Sequence, residues 1–272
     1  MGLFWCYFLG CMEYDIHNTS EKENTGLEEE EIEVSDTAEA LISEPAVEDT
    51  GYEEPIDEGI PPALEQMYIH TANLLYSYDE EGSIETIGQF YLDDGYAPSI
   101  TDLAIDLSGN MYAISNSALY RVDPTDARLE HQCDTNDFLV GLTFLADGRL
   151  LAAGDSIYWM QPSSCAKAVF VETEDYQTSG DIVGLPDGNL YWTVVGGDAL
   201  VRVNGLSGET DFIGNIGSIN LWGVGYFDGV LYGFSNEGKI VHIDPNTAEI
   251  IEEKTTSGQY WWGAASNPVF WE

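Results

Sequence analysis

The apolar positions of this chain recur in short strand-like runs, each of which ends in Asp, Gln or Asn and leads into a turn. The ends of successive runs lie 44, 38, 43 and 40 residues apart. A repeat of about forty residues built from β-forming residues is typical of a β-propeller, in which each repeat is one small antiparallel sheet. The five runs are 75–79, 119–123, 157–161, 200–204 and 240–244.

A glycine-containing turn between two apolar stretches precedes each of the last four runs. Glycine tolerates the positive φ that a tight hairpin turn requires, so each turn predicts a pair of strands. The run itself predicts a third strand, and a fourth follows turns such as 123–126, where Pro and Asp favour chain reversal. The turn glycines, spaced by 39, 40 and 41 residues, are Gly109, Gly148, Gly188 and Gly229.

The count of repeats predicts an all-β fold, a five-bladed propeller of four-stranded antiparallel blades. Four blades are continuous and are predicted at 102–133, 140–172, 181–214 and 222–253. The fifth is shared: residues 262–265 supply its innermost strand, and residues 74–88 supply its third and fourth strands. This closure leaves no long open sheet edge. Two segments compete for the second strand of the shared blade, 67–71 and 269–271.

The repeat units resemble secreted bacterial propellers of the NHL and YVTN-repeat kind. The resemblance rests on Leu-Tyr-Arg-Val-Asp-Pro (119–124), Ile-Val-His-Ile-Asp-Pro (240–245) and Asp-Gly-Asn-Leu-Tyr (187–191). It covers about 200 residues, and its motifs are structural ones. Such repeats occur in binding proteins, in scaffold proteins and in some enzymes. The resemblance therefore implies the fold and leaves the function open.

The distribution of charge divides the chain into a tether and a globular part. Residues 12–66 contain 19 of the 49 acidic residues and one of the eight basic residues. Such a segment repels itself and buries little apolar surface, so we expect a disordered tether. Residues 67–272 are predicted to form the propeller. They too are acidic, which excludes nucleic acid as a partner because phosphate backbones would be repelled.

The first eleven residues resemble the end of a secretory signal. They are apolar, too few to span a bilayer as a helix, and give way to an acidic stretch. Residues 8–11, Phe-Leu-Gly-Cys, resemble the lipobox of bacterial lipoproteins, although no Lys or Arg precedes them. We expect lipid attachment at Cys11 and a place in the cell envelope, as an outer-membrane lipoprotein. Secretion without an anchor and a chance match are the alternatives.

The cysteines of the globular part are Cys133 and Cys165. An even number in an exported protein is compatible with one disulfide between neighbouring blades, and two separate thiols are the alternative. The chain has no Cys-x-x-Cys spacing and no phosphate-cradling motif. We therefore predict neither a metal site nor a cofactor.

The innermost strands of a propeller begin at the mouth of its central channel, where ligands usually bind. Indole faces suit sugar rings or cationic groups, and carboxylates suit hydroxyls or cations. The alternative is that the tryptophans pack between blades and the aspartates bond to backbone amides. Alignment on the turn glycines places Asp102, Gly141, Asp181, Trp222 and Trp262 at equivalent points, with Tyr260 and Asn220 in adjacent loops.

We predict a monomeric binding or interaction module that takes a protein or glycan ligand at the channel mouth and meets the membrane only through its lipid. The histidines of the globular part, His70, His131 and His242, map to outer strands, which argues against catalysis. The alternative function is a secreted hydrolase or lyase that acts on sugars or lactones with Asp102 and Asp181 as its carboxyl pair. A third possibility is a structural surface protein with a blocked channel.

Overall fold

The computed structural model describes Ala63 and residues 65–79, 81–172, 175–195, 198–217, 219–256 and 258–271. Across these ranges the chain forms twenty strands, β1 to β20, arranged as five four-stranded antiparallel sheets in a ring. The five-bladed propeller expected from the sequence is therefore confirmed. The predicted signal segment, Cys11 and the predicted tether up to residue 62 lie outside the described residues.

Four blades are continuous in sequence, and the innermost strand of each begins within three residues of the predicted start of the blade. Blades one and two comprise β4 (Ile100–Ile105), β5 (Met111–Ser115), β6 (Ala118–Val122), β7 (Leu129–Asp134), β8 (Gly141–Phe144), β9 (Leu150–Ala153), β10 (Ser156–Met160) and β11 (Lys167–Glu172). Blades three and four comprise β12 (Thr178–Gly184), β13 (Leu190–Val194), β14 (Ala199–Val203), β15 (Thr210–Asn215), β16 (Leu221–Phe227), β17 (Val230–Ser235), β18 (Lys239–Ile243) and β19 (Ile250–Thr255).

The fifth blade joins both ends of the globular part. Its order is β20-β1-β2-β3, so the carboxyl-terminal strand is innermost and the amino-terminal strands lie outside it. The competition for the second strand is settled in favour of β1, which pairs with both neighbours, whereas residues 268–270 form a 3₁₀ turn. The four strands are β20 (Gly263–Ser266), β1 (Met67–His70), β2 (Leu74–Tyr78) and β3 (Ile84–Gln89).

Apolar side chains fill the space between neighbouring blades. The first three strands of each blade are largely buried, whereas the fourth strand alternates or is mostly exposed, as in the exposed run of β19. This difference follows from position, because the fourth strand lies on the outside of the ring. The apolar run that recurs in the sequence is the third strand, and its first or second residue is fully buried in every blade.

Three contacts complete the globular part. A disulfide joins Cys133 at the end of β7 to Cys165 in the turn after β10, and so connects blades one and two. Ala63 is buried, and its N–H donates to the Gly109 carbonyl at 2.7 Å. Trp271 is buried beyond β20, and its Nε1 donates to Ser266 Oγ at 2.8 Å. No helix among the described residues has the length and apolar character needed to span a bilayer.

Candidate functional site

The pairing of the inner strands with their second strands aligns the five blades and defines two rings around the channel. In this register Asp102 lies opposite Ile114, and Gly223 opposite Phe234. The residues at this level, here called the floor ring, are Asp102, Gly141, Asp181, Gly223 and Gly263. The residues that precede them, here called the rim ring, are Thr101, Val140, Gly180, Trp222 and Trp262. All five rim residues line one cavity at the channel mouth.

The sequence alignment on the turn glycines placed residues of both rings at one level, and the structure corrects this prediction. Trp222 and Trp262 do not lie level with Asp102 but one residue nearer the mouth. The cause is the hairpin of blade four, whose loop has two residues (228–229), whereas the loop of blade one has five (106–110). Neighbouring side chains on a strand point to opposite faces, so a shift of one residue separates the tryptophans from the aspartates.

Both floor-ring aspartates are buried, and each bridges two blades. One carboxylate oxygen accepts the N–H of the next residue, and the other accepts an N–H of the following blade. The path is open because the following blade contributes a glycine to the floor ring, Gly141 for Asp102 and Gly223 for Asp181. The bonds are Leu103 N to Asp102 Oδ1 (2.7 Å), Leu142 N to Asp102 Oδ2 (2.5 Å), Ile182 N to Asp181 Oδ1 (2.6 Å) and Val224 N to Asp181 Oδ2 (2.8 Å).

The two carboxyl groups interact with one another, and burial raises the pKa of both. The pKa of Asp102 lies well above its usual value because burial and the Asp181 carboxyl both disfavour its charged form. Burial raises the pKa of Asp181 to about 7, although the Asp102 carboxyl and two backbone N–H groups oppose the rise. Because each carboxyl group affects the pKa of the other, we treat the two groups as one coupled site.

His70 adjoins this pair, although its strand position placed it away from the channel. It is fully buried, with Nε2 3.9 Å from Asp102 Oδ1. The ring comes this close because Gly263 separates the two groups: a β-carbon there would overlap Asp102 and lie 2.5 Å from His70 Nε2. Nδ1 donates to the Thr71 carbonyl at 2.9 Å. Burial lowers the pKa of His70 to about 4, so the imidazole is neutral at neutral pH.

Above the floor ring lies a cavity of about 490 Å³, here called the rim cavity, which is of the size that small ligands occupy. Trp222 and Trp262 form part of its wall, with ring centroids 5.5 Å apart and planes at 67°. Phe138, which is 64% exposed, lines it too. Neither Asp102 nor Asp181 is among its lining residues. The mouth is therefore aromatic and open, and the carboxyl groups lie beneath it.

Tyr260 and Asn220 occupy different places. Tyr260 lines a second cavity of about 440 Å³, here called the side cavity, which it shares with both rim tryptophans. Asn220 lies immediately before β16 with φ of 52°, and its Nδ2 donates to the Glu237 carboxylate. The residues described around the two cavities do not include Asn220. The structure thus brings Tyr260 to the tryptophans and leaves Asn220 outside.

The expected alternative for the channel residues holds for the aspartates and only in part for the tryptophans, which contact one another across the junction of blades four and five but remain partly exposed. The aspartates bond to backbone amides, as that alternative required, whereas Trp222 is 37% exposed at the mouth. Within the described ranges no group of three or more His, Cys, Asp or Glu side chains is placed to hold a metal ion. The prediction that the protein takes no cofactor stays a prediction.

Sequence reasoning missed three residues of this region: His70, Phe138 and Ser179. Phe138 lies just before the inner strand β8, and Ser179 is the second residue of the inner strand β12. Both line the rim cavity, and the repeat period would have located them once the rim register was known. His70 could be found only by noticing that its partner across the sheet is a glycine.

Comparison with known proteins identifies the fold and no family. No family model and no curated protein matches the sequence. A chain in the crystal structure of a nidogen/laminin complex is 13% identical, with a TM-score of 0.53, and the match covers 74% of this chain and 97% of that chain. Virginiamycin B lyase from Staphylococcus aureus is 18% identical, with a TM-score of 0.46, over 73% of this chain and 69% of that one.

A putative gluconolactonase is similarly distant. It is 12% identical, with a TM-score of 0.49, and covers 75% of this chain and 82% of that chain. At such identities a likeness shows the fold alone, because unrelated functions share the propeller architecture. The function must therefore be argued from the rim and floor rings.

Proposed function

We propose that this protein is an exported, lipid-anchored propeller that binds a protein or glycan ligand at its channel mouth. The observation that carries the proposal is the rim cavity, with two partly exposed indoles fixed at the ends of adjacent inner strands. Large aromatic groups held rigidly at a concave surface supply binding energy at small entropic cost. The resemblance to NHL and YVTN-type repeat proteins, which include exported binding modules, agrees with this proposal.

The rim proposal is tested by comparing the wild type with W222A and W262A on one array that carries both glycans and peptides. We expect each variant to lose the ligands that the wild type retains, because each removes one wall of the rim cavity. W159A is the matched control, since Trp159 packs against Phe170 in blade two, with ring centroids 4.1 Å apart, and lines neither cavity. Identical profiles for all four proteins would contradict the proposal.

The anchor proposal rests on the lipobox-like residues 8–11 and on the acidic segment that follows them. A flexible tether of residues 12–66 would have a typical span on the order of 40 Å, and self-repulsion would lengthen it. A domain held at that distance from an outer membrane could reach ligands in the cell envelope or outside the cell. In this proposal the protein works as a monomer, and the lipid is its sole contact with the membrane.

Replacing Cys11 with Ala and fractionating the cells tests the anchor. We expect the wild type in the membrane fraction and C11A in the soluble fraction, because the acylated thiol would be absent. C6A is the matched control, since Cys6 lies in the apolar run and outside the lipobox. Retention of C11A in the membrane would contradict lipid attachment at this residue.

The second candidate function is a hydrolase or lyase acting on sugars or lactones. One observation favours it: Asp102 and Asp181 form a buried carboxyl pair, and burial raises the pKa of both, a combination that acid–base catalysis often uses. Against it, both groups bond to backbone amides and lie below the cavity that a substrate would enter.

A glycan and lactone panel separates the two functions. If the pair is catalytic, the wild type turns over at least one substrate, and D102N and D181N each reduce kcat by 100-fold or more. If the protein is a binding module, the wild type binds without turnover. Turnover that survives in D102N/D181N would contradict the catalytic assignment.

A further inference from the structure

The two rim tryptophans separate two cavities and line both of them. The rim cavity, of about 490 Å³, and the side cavity, of about 440 Å³, share these two tryptophans and no other described lining residue. Trp222 and Trp262 meet edge to face between them and form what is here called the tryptophan ridge. A ligand that occupied both cavities would therefore cross the ridge and contact both indoles.

The backbone holds the ridge in place. The Trp262 N–H donates to the His70 carbonyl at 2.9 Å, which fixes the chain just before β20. Gly180 of blade three lies directly against the Trp222 carbonyl, and a β-carbon at Gly180 would overlap it. The indoles thus project from closely packed strand ends and need little ordering when a ligand binds.

The polar groups around the ridge are mostly neutral and include several without partners. Ser179 Oγ, in the wall of the rim cavity, is buried and has no hydrogen-bond partner among the described residues. A buried hydroxyl in that state gains from a ligand hydroxyl. Over the same ranges, the side-chain amides of Asn116 in the rim cavity and Asn236 in the side cavity also make no hydrogen bond.

Charge is sparse in both cavities, in contrast to the rest of the chain. Of the described lining residues, only Asp155 carries a charge, although the chain as a whole has 49 acidic and eight basic residues. A cleft with no basic side chain does not suit an anionic ligand, and one carboxylate gives a cation little anchorage. Flat indole faces flanked by amides and hydroxyls suit a neutral, hydroxyl-rich ligand.

We infer that the rim and side cavities are consecutive subsites for a neutral glycan chain that crosses the tryptophan ridge. This inference rests on the proposed function and specifies its ligand. A peptide fits less well, because peptides usually add to a free sheet edge or fix a charged terminus. The aspartates of the floor ring already accept the N–H groups of Leu142 and Val224 on the inner edges of β8 and β16. The described residues that line the two cavities include no basic side chain that could fix a terminal carboxylate.

Affinity electrophoresis of the full chain provides the test. The protein is strongly acidic, with a net charge of −41, so it migrates rapidly in a native gel and binding to an embedded polysaccharide slows it. The gels contain hydroxyethyl cellulose, laminarin or mannan as neutral probes and alginate as an anionic probe. The variants are W222A, W262A and N236A, with W159A as the matched indole control. A random peptide library is screened in parallel.

We expect at least one neutral polysaccharide to retard the wild type and W159A equally. The affinity of W222A and of W262A for that polysaccharide should be at least 10-fold lower than that of the wild type. N236A removes an amide from the side cavity only, and we expect a 3- to 10-fold loss. For the polysaccharide that binds, the hexasaccharide should bind at least 10-fold more tightly than the disaccharide. Alginate should not retard any of the proteins.

Three results would overturn the inference. The first is that no neutral probe retards the protein. The second is that W222A and W262A are retarded as much as the wild type. The third is that the disaccharide and the hexasaccharide bind with equal affinity. If the peptide library yields ligands that depend on Trp222 while no glycan binds, the glycan assignment fails and the proposed binding function stands. If neither class depends on the ridge, both fail.

Discussion

The rim ring and the floor ring are adjacent in sequence and opposite in character. At the rim, Trp222 is 37% exposed and faces a cavity, whereas one residue further along each strand the chain contributes only Asp or Gly. The floor aspartates are at most 1% exposed, and their oxygens bond to the backbone of two blades. A single step along an inner strand therefore separates a surface available for binding from a part that joins the blades.

This contrast shows that carboxylates near a propeller channel are not by themselves evidence of catalysis. In a ring of glycines, a short carboxylate can reach the next blade's backbone and satisfy an N–H that no strand pairing reaches. The same close packing excludes solvent and raises the pKa of the carboxyl pair. Floor substitutions should therefore alter stability, and rim substitutions should alter binding.

The largest effect is expected from D102A. The change leaves the N–H groups of Leu103 and Leu142 without their acceptor, and an unsatisfied buried donor costs about 1–3 kcal/mol. We expect a loss of about 2–5 kcal/mol in the free energy of unfolding, measured by urea denaturation at pH 5. D94A, at an exposed turn, is the control and should change it by less than about 0.5 kcal/mol. If D102A had the same free energy of unfolding as the wild type, the floor ring would have no structural role.

The next largest effect is expected from G263A. The added β-carbon would overlap Asp102 and lie 2.5 Å from His70 Nε2, in a region without free space. Overpacking of this kind costs about 1–3 kcal/mol, and we expect the upper part of that range in urea denaturation. G95A is the control, because a β-carbon at Gly95 meets nothing within 4 Å. Equal stability of the two variants would show that the floor is not tightly packed.

The pH dependence of stability separates His70 from the acid pair. Its pKa falls from 6.5 to about 4 on folding, so it contributes stability above pH 6.5 that is lost as the pH falls towards 4. Asp181 acts in the opposite sense, since its pKa rises from 3.8 to about 7 and its contribution is lost as the pH rises through that range. Over pH 4 to 6.5 the two contributions oppose one another.

H70Q removes the contribution of His70 to the pH dependence of stability and leaves that of Asp181. The stability of the wild type relative to H70Q should increase by about 2–3 kcal/mol between pH 4 and 6.5, as measured by urea denaturation at each pH. H131Q, which replaces an exposed imidazole, provides the comparison. A difference between wild type and H70Q that does not vary with pH would mean that His70 is not buried in its neutral form.

The smallest effect on stability is expected at the rim. W222A removes a partly exposed indole and one edge-to-face contact, which is worth about 0.5–1.5 kcal/mol. We expect a loss of about 1 kcal/mol in urea denaturation, together with loss of binding on the array. If W222A lost as much free energy of unfolding as D102A, the rim ring and the floor ring would not differ in their contribution to stability.

Local patterns in the sequence were enough to predict the fold. The forty-residue period, the turn glycines and the head-to-tail closure depend on turn chemistry and strand alternation, which act over a few residues. The second strand of the shared blade stayed open because 67–71 and 269–271 are both apolar. The structure selects β1 through its pairing with β2 and β20, which no local pattern specifies.

The site was predicted less completely, for a reason that lies in loop length. Turn glycines are reliable markers of a hairpin, but they fix the strand register only if every loop has the same number of residues. The two-residue loop at 228–229 moved Trp222 by one position and merged two rings into one. His70 was missed for another reason: its approach to Asp102 depends on the missing side chain of Gly263, a relation between strands rather than along one.

The most direct test of the account is the affinity of folded D181N for the ligand that the array identifies. Asp181 lies immediately below the rim, is 1% exposed and lines neither cavity. The account predicts that D181N, assayed well below its unfolding transition, binds within 2-fold of the wild type although it is less stable. A 10-fold or greater loss of affinity in the folded variant would contradict the account, because the floor would then belong to the binding site.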